Sequence, residues 1–135
     1  MNRVELQVLS ELRLREARSL LAGGFPDGAY YLAGYSVECA LKACIAKRTR
    51  EHDFPAKPES VKEIYTHDLT KLLKESGLKP LLEVAYRSNV VLKARWDIVQ
   101  RWSEQSRYER RDTSAADAII EDDPGGILPW IKLHW

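Results

Sequence analysis

Seven polar side chains stand where a helical pattern would otherwise favour hydrocarbon: Glu38, Lys42, His67, Asp68, Arg95, Arg107 and Tyr108. Carboxylate and imidazole can move protons, ammonium and guanidinium can hold phosphate, and a phenol ring can stack on a nucleobase. Polar groups kept in a helical interior are hydrogen-bonded, functional, or both. Each of these also has a purely structural account. His67 and Asp68 can serve the first turn of a helix capped by Thr66. Glu38 and Lys42 have the i, i+4 spacing of an intrahelical ion pair. Arg107 and Tyr108 suit a helix C-terminus, the cation favouring the dipole and the ring lying half in solvent. Arg95 projects into an apolar stripe and must snorkel or find a partner, for which the nearly isolated Glu38 is the candidate.

Other chemistries lack their residues. The chain has no phosphate-binding loop of the G-x-x-x-x-G-K-[ST] type, no G-x-G-x-x-G, no H-E-x-x-H and no G-x-S-x-G. His52, His67 and His134 lie far apart, and no Cys or His pair has ligand spacing, so neither a metal nor a cofactor is expected. Cys39 and Cys44 on one helix project roughly 140° apart and cannot bridge within it. They read as small buried apolar residues rather than nucleophiles.

The elements that must position these groups are all helical. Leu6, Leu9, Ala17, Leu20 and Leu21 recur at helical spacing from about Arg3, and Gly23-Gly24 ends the pattern. Pro26 opens a second helix to about Arg50. Its one face carries Tyr30, Ala33, Val37, Leu41, Cys44 and Ile45, and the opposite face Leu32, Cys39, Ala43 and Ala46. A helix apolar nearly all round is central to its bundle or shares a face with another subunit. Glu38 and Lys42 near its middle argue against a membrane span. A loop with Pro55 and Pro58 follows, then a capping box at Ser60 and Glu63. Thr66 is predicted to cap a helix ending before Gly77. One long helix is predicted from Pro80 through Trp102, with Val84, Val91, Ile98 and Trp102 near heptad spacing. Thr113 or Ser114 opens a helix to about Glu121, and Asp123-Pro124 a last one carrying Ile127, Leu128 and Ile131. About five helices with short connections predict an antiparallel up-and-down bundle, a single domain over residues 1–135.

Composition narrows the partners. Of 135 residues 44% are apolar and 30% charged, and 21 basic against 20 acidic side chains leave a net charge of +1. No global field draws in nucleic acid or membrane, so any nucleic-acid contact needs a local basic patch. Arg13, Arg15 and Arg18 form one such cluster, Arg101, Arg107, Arg110 and Arg111 another; the early one reads as a solvated helix face. The first ten residues carry Glu5 and Gln7 and no unbroken apolar run, which predicts no secretory signal and a cytoplasmic address.

The run Ala29-Tyr30-Tyr31-Leu32-Ala33-Gly34-Tyr35-Ser36-Val37-Glu38-Cys39-Ala40-Leu41-Lys42-Ala43, then Thr66-His67-Asp68-Leu69, then Trp102 with Arg107-Tyr108, resembles the HEPN domain in its landmarks and their order. The resemblance implies an up-and-down bundle, a homodimer, and a bacterial or archaeal cytoplasm. Many members are metal-independent ribonucleases with an Arg followed after four to six residues by His, one copy from each subunit. This chain departs from that pattern, because Asp112, Thr113 and Ser114 stand where Arg107 would need a histidine. The resemblance therefore implies a nucleotide- or RNA-associated binding module, with Glu38, Lys42, Arg107 and Tyr108 lining a shared cleft. A minimal nucleotidyltransferase in a toxin–antitoxin-like pair is its expected partner. The alternatives are a non-standard ribonuclease using Arg107 with Glu38 or His67, and a purely structural dimerisation module.

Overall fold

The computed structural model describes residues 1–52 and 64–135, with seven α-helices, one 3-10 helix and no strand among them. The first helix, α1 (Arg3–Ala22), is opened by a reciprocal capping box: the Glu5 amide donates to Asn2 Oδ1 at 2.9 Å, and the Asn2 amide to Glu5 Oε2 at 2.8 Å. It stops at Gly23, and Gly24 follows with φ +85°, a backbone state that costs glycine nothing. Pro26 then starts α2 (Pro26–His52), where its missing N–H is not needed.

The central position expected of α2 is observed. It packs on α1 and on the later elements spanning residues 69–75, 104–108, 113–120 and 127–132. Tyr30, Ala33, Val37, Leu41, Cys44 and Ile45 are all buried along its length. Two buried hydroxyls lock α1 to α2. Ser10 Oγ donates to the Ser36 carbonyl and Ser36 Oγ to the Ser10 carbonyl, each at 2.8 Å. Small side chains let the two backbones approach this closely, and every polar group involved finds a partner. No helix of the described residues is long and apolar enough to cross a membrane.

Beyond residue 64 the chain is more finely divided than expected. Helix α3 (Leu69–Glu75) is capped by Asp68, not Thr66; the Asp68 carboxylate accepts from the amides of Thr70 and Lys71. Thr66 instead accepts the Asp68 amide on its hydroxyl at 3.1 Å, which holds the cap in place. The single long helix expected from Pro80 is two, α4 (Lys79–Tyr86) and α5 (Val90–Val99). Asn89 breaks it: its side chain accepts the Leu92 amide at 3.0 Å, and its amide nitrogen Nδ2 donates to the Pro124 carbonyl at 2.9 Å. The heptad stripe consequently fails. Val84 and Val91 are exposed, and the core is met by Leu82, Leu92, Trp96 and Val99 instead.

A 3-10 helix (Glu104–Tyr108) carries Arg107 and Tyr108, which therefore do not end an α-helix. Helix α6 (Thr113–Ile120) is capped by Asp112 rather than Thr113 or Ser114. The last helix, α7 (Ile127–Lys132), starts after Gly126 rather than at Pro124, because Asp123 is committed elsewhere. Its carboxylate takes both terminal nitrogens of Arg95, at 2.5 and 2.7 Å, and the Gly125 amide at 2.9 Å. Arg95 thus does not pair with Glu38. Among the described residues the α-helices number seven rather than about five, the α4/α5 break adding one. The capping box expected at Ser60 and Glu63 and the loop with Pro55 and Pro58 lie outside the described residues.

Candidate functional site

Tyr31, Tyr35, Glu38 and Lys42 follow one another at i, i+4, i+7 and i+11 on α2, so they share one face of that helix. Glu38 is only 5% exposed, and both carboxylate oxygens are engaged. Lys42 Nζ donates to Oε1 at 2.8 Å, and His67 Nδ1 lies 2.9 Å from Oε2. A carboxylate only accepts, so Nδ1 carries the proton of this bond and Nε2 is left as the ring atom for proton transfer or ligand contact. Packing of α3 against α2 brings His67 to this point, with Asp68 fixing the turn behind it. The Thr70 hydroxyl, first among several donors, holds the Asp68 carboxyl below its usual range. The structural account of Asp68 as a cap is therefore the observed one.

The strip continues as an aromatic ladder. The Tyr35 ring meets His67 edge-on at 5.8 Å between centroids, Tyr31 at 5.1 Å and Trp102 at 4.9 Å. Tyr31 OH donates to Tyr35 OH at 3.4 Å. Burial pushes the Tyr35 phenol well above its ordinary value, so it remains a neutral hydroxyl. Trp102 anchors the ladder from below: it is buried, and Nε1 donates to the Tyr31 carbonyl at 3.2 Å. Its indole fills the space above Gly34, where any Cβ would stand 2.1 Å from ring atoms.

Arg107 lies at the far end. Its guanidinium is 4.7 Å from the Tyr108 ring centre, and hydrogen bonding to Tyr108, then to Tyr31, raises it further above its ordinary value. It is a fixed, exposed cation, and Tyr108 beside it is 74% exposed. Two depressions flank the ladder. One of about 490 Å³ is lined by Arg13, Tyr31, Tyr35, Glu38 and Lys42, and one of about 640 Å³ by His67, Arg101, Trp102, Ser103 and Gln105.

Of the residues singled out from sequence, the structure joins Glu38, Lys42 and His67 directly and reaches Arg107 and Tyr108 through Tyr31 and Tyr35. Among the described residues no hydrogen bond, ion pair or ring contact joins His67 to Arg107; Tyr35 meets His67, and Tyr31 meets Tyr35. Arg95 belongs to a separate ion pair. Cys39 and Cys44 are buried, and burial pushes both thiols up to about 11, as packing residues require. Tyr31 and Tyr35 were not singled out, although their spacing to Glu38 and Lys42 was readable. Two of the early cluster are engaged with acids: Arg13 pairs with Glu16 at 2.7 Å, and Arg18 approaches Asp122 at 3.7 Å.

Comparison with known proteins bears on this arrangement at the level of the family. No curated protein and no solved structure matches the chain. The family model described as HEPN domain matches residues 10–122, a span that takes in every residue of the strip.

Proposed function

From the premise that the chain belongs to the HEPN domain family, we propose that it is a nucleotide- or RNA-associated binding module, working as a homodimer, whose ligand lies along the α2 strip. In this reading Lys42 and Arg107 contact phosphate, and Tyr108 stacks a base. Glu38 is the positioning residue: it sets the Lys42 ammonium and the His67 ring. The observation that carries the reading is the continuity of the strip, a buried carboxylate holding two donors at one end and an exposed cation over a tyrosine at the other. The homodimer is supported by apolar side chains on α1, Val4 and Val8, which are exposed one turn apart. A minimal nucleotidyltransferase in a toxin–antitoxin-like pair and a cytoplasmic address complete the proposal.

The test is binding of a labelled single-stranded RNA and of nucleoside triphosphates to the intact protein. Lys42→Gln and Arg107→Gln are each expected to weaken binding by about tenfold and to flatten its salt dependence. Absence of binding by the wild-type protein at low salt would overturn the reading.

One observation favours a second reading, a non-standard ribonuclease. A carboxylate bonded to His67 Nδ1 orients the ring so that Nε2 can act as acid or base. Since no contact joins His67 to Arg107 within a chain, this reading pairs one group from each subunit. Metal-free cleavage of a mixed RNA pool, lost in Arg107→Ala and in His67→Ala and partly restored by mixing the two variants, would establish it. No cleavage by the wild-type protein would remove it.

A further inference from the structure

Lys47 and Arg48, in the last turns of α2, face a part of the molecule that the strip does not use. The rise from Tyr31 to Lys47 is about 24 Å along the helix. A pocket of about 420 Å³ opens there between α2 and the turn joining α3 to α4, lined by Cys44, Lys47, Arg48, Gly77, Leu81 and His134 among others. Among the described residues lining it are an ammonium, a guanidinium and an imidazole, and no carboxylate. That imbalance is local, since the chain's 21 basic and 20 acidic side chains nearly cancel.

Arg48 and His134 are held in place. Arg48 Nη1 donates to the Glu75 carbonyl at 3.1 Å, which ties the guanidinium to the end of α3. Gly77 makes room for it: at φ +77° the residue accepts the turn, and a Cβ would come within 2.7 Å of Nη1. His134 is braced by the Trp130 ring at 4.8 Å between centroids. Burial, and then the charge of Lys47, hold its imidazole below its ordinary value, so it faces the pocket as a neutral hydrogen-bonding ring. Lys47 makes no ion pair among the described residues. A pocket lined by two cations and an imidazole, with no carboxylate among its described residues, is complementary to a tetrahedral oxyanion.

We propose that this pocket is a phosphate site, separate from the α2 strip, which holds a phosphate group through Lys47, Arg48 and His134. The phosphate belongs either to a free nucleotide or to an RNA backbone.

The experiment is thermal unfolding of the intact protein in inorganic phosphate against chloride of equal ionic strength, with equilibrium dialysis of labelled phosphate. Phosphate is expected to raise the wild-type Tm and to bind. The Lys47→Gln/Arg48→Gln variant is expected to lose at least about tenfold in affinity. Arg48 also supports the end of α3, so a second variant leaves it intact: Leu81→Glu places a carboxylate at the mouth from a half-exposed position and should abolish the response. A Lys42→Gln/Arg107→Gln variant should retain it, whatever becomes of RNA binding at the strip. An undiminished phosphate response in Leu81→Glu, its loss in Lys42→Gln/Arg107→Gln, or no response in the wild type would overturn the proposal. Displacement of labelled phosphate by a short single-stranded RNA without terminal phosphates assigns the site to the backbone; displacement by a nucleoside monophosphate alone assigns it to a free nucleotide. Both results support the site.

Discussion

The two faces of α2 are built on opposite principles. The inner face, Tyr30 to Ile45, is closed by small and apolar side chains, and its few polar atoms are turned on one another, as in the Ser10 and Ser36 exchange. The outer strip is polar, half-open and satisfied mainly by long side chains: Lys42 and His67 reach Glu38, and Tyr31 reaches Tyr35. One helix thus serves as both keel and working surface. Substitutions on the inner face should act on stability, and those on the outer strip chiefly on ligand.

Trp102 and Gly34 join the two faces and offer the hardest break. Trp102→Ala should cost about 3–5 kcal/mol in chemical denaturation, as removal of a buried aromatic does. Gly34→Ala should cost about 1–3 kcal/mol, because the indole must leave its seat to admit the methyl group. Either variant should also disturb the strip above, so loss of stability without any change at Tyr31 and Tyr35, read from their NMR signals, would separate two faces that the structure couples.

Glu38 lies on the border. Glu38→Gln should destabilise by about 1–3 kcal/mol, since Lys42 and His67 lose a charged acceptor, and should also weaken RNA binding. A change in stability alone would return Glu38 to the inner, structural set. Ser10→Ala, wholly on the inner face, should cost about 1 kcal/mol and leave ligand binding unaltered; altered binding would show that α1 registers the strip.

The smallest expected effect lies away from both faces. The Arg95 hydrogen bonds, followed by that of the Gly125 amide, hold the Asp123 carboxyl down to about 2. A depressed carboxyl contributes stability above the ordinary value near 4, and that contribution is lost as pH falls through about 2. Acid unfolding followed between these limits should therefore be less steep in Asp123→Asn than in the wild-type chain. Equal steepness would show that the pair has no part in acid stability.

The fold was legible where the signal is local. Helices α1 and α2 follow from apolar period, Gly23-Gly24 and Pro26, and the all-α class from the same pattern. Asn2 with Glu5 was a readable capping box that the apolar period overshadowed. The break at Asn89 was less visible, because a single polar residue between valines outranks the heptad only once it finds Pro124 across the chain. The same limit applies to the site. Spacing places Glu38 beside Lys42, but nothing local distinguishes Arg95 from His67 as the further partner, and packing of α3 decides for His67. Arg95 was read as having to snorkel or find a partner, with Glu38 the candidate; the carboxylate it takes, Asp123, lies in the loop before α7.

The hub position of α2 has a consequence for timing. Its amides are shielded by the other elements that pack on it, whereas α4 presents much of its surface to solvent and buries Leu82 alone, with Ala85 and Tyr86 half-buried against the core. Local openings begin in such thinly packed segments and reach the central element last. Tyr31, Tyr35, Glu38 and Lys42 are thus mounted on the slowest-exchanging part of the chain, and their relative placement should outlast every fluctuation short of complete unfolding.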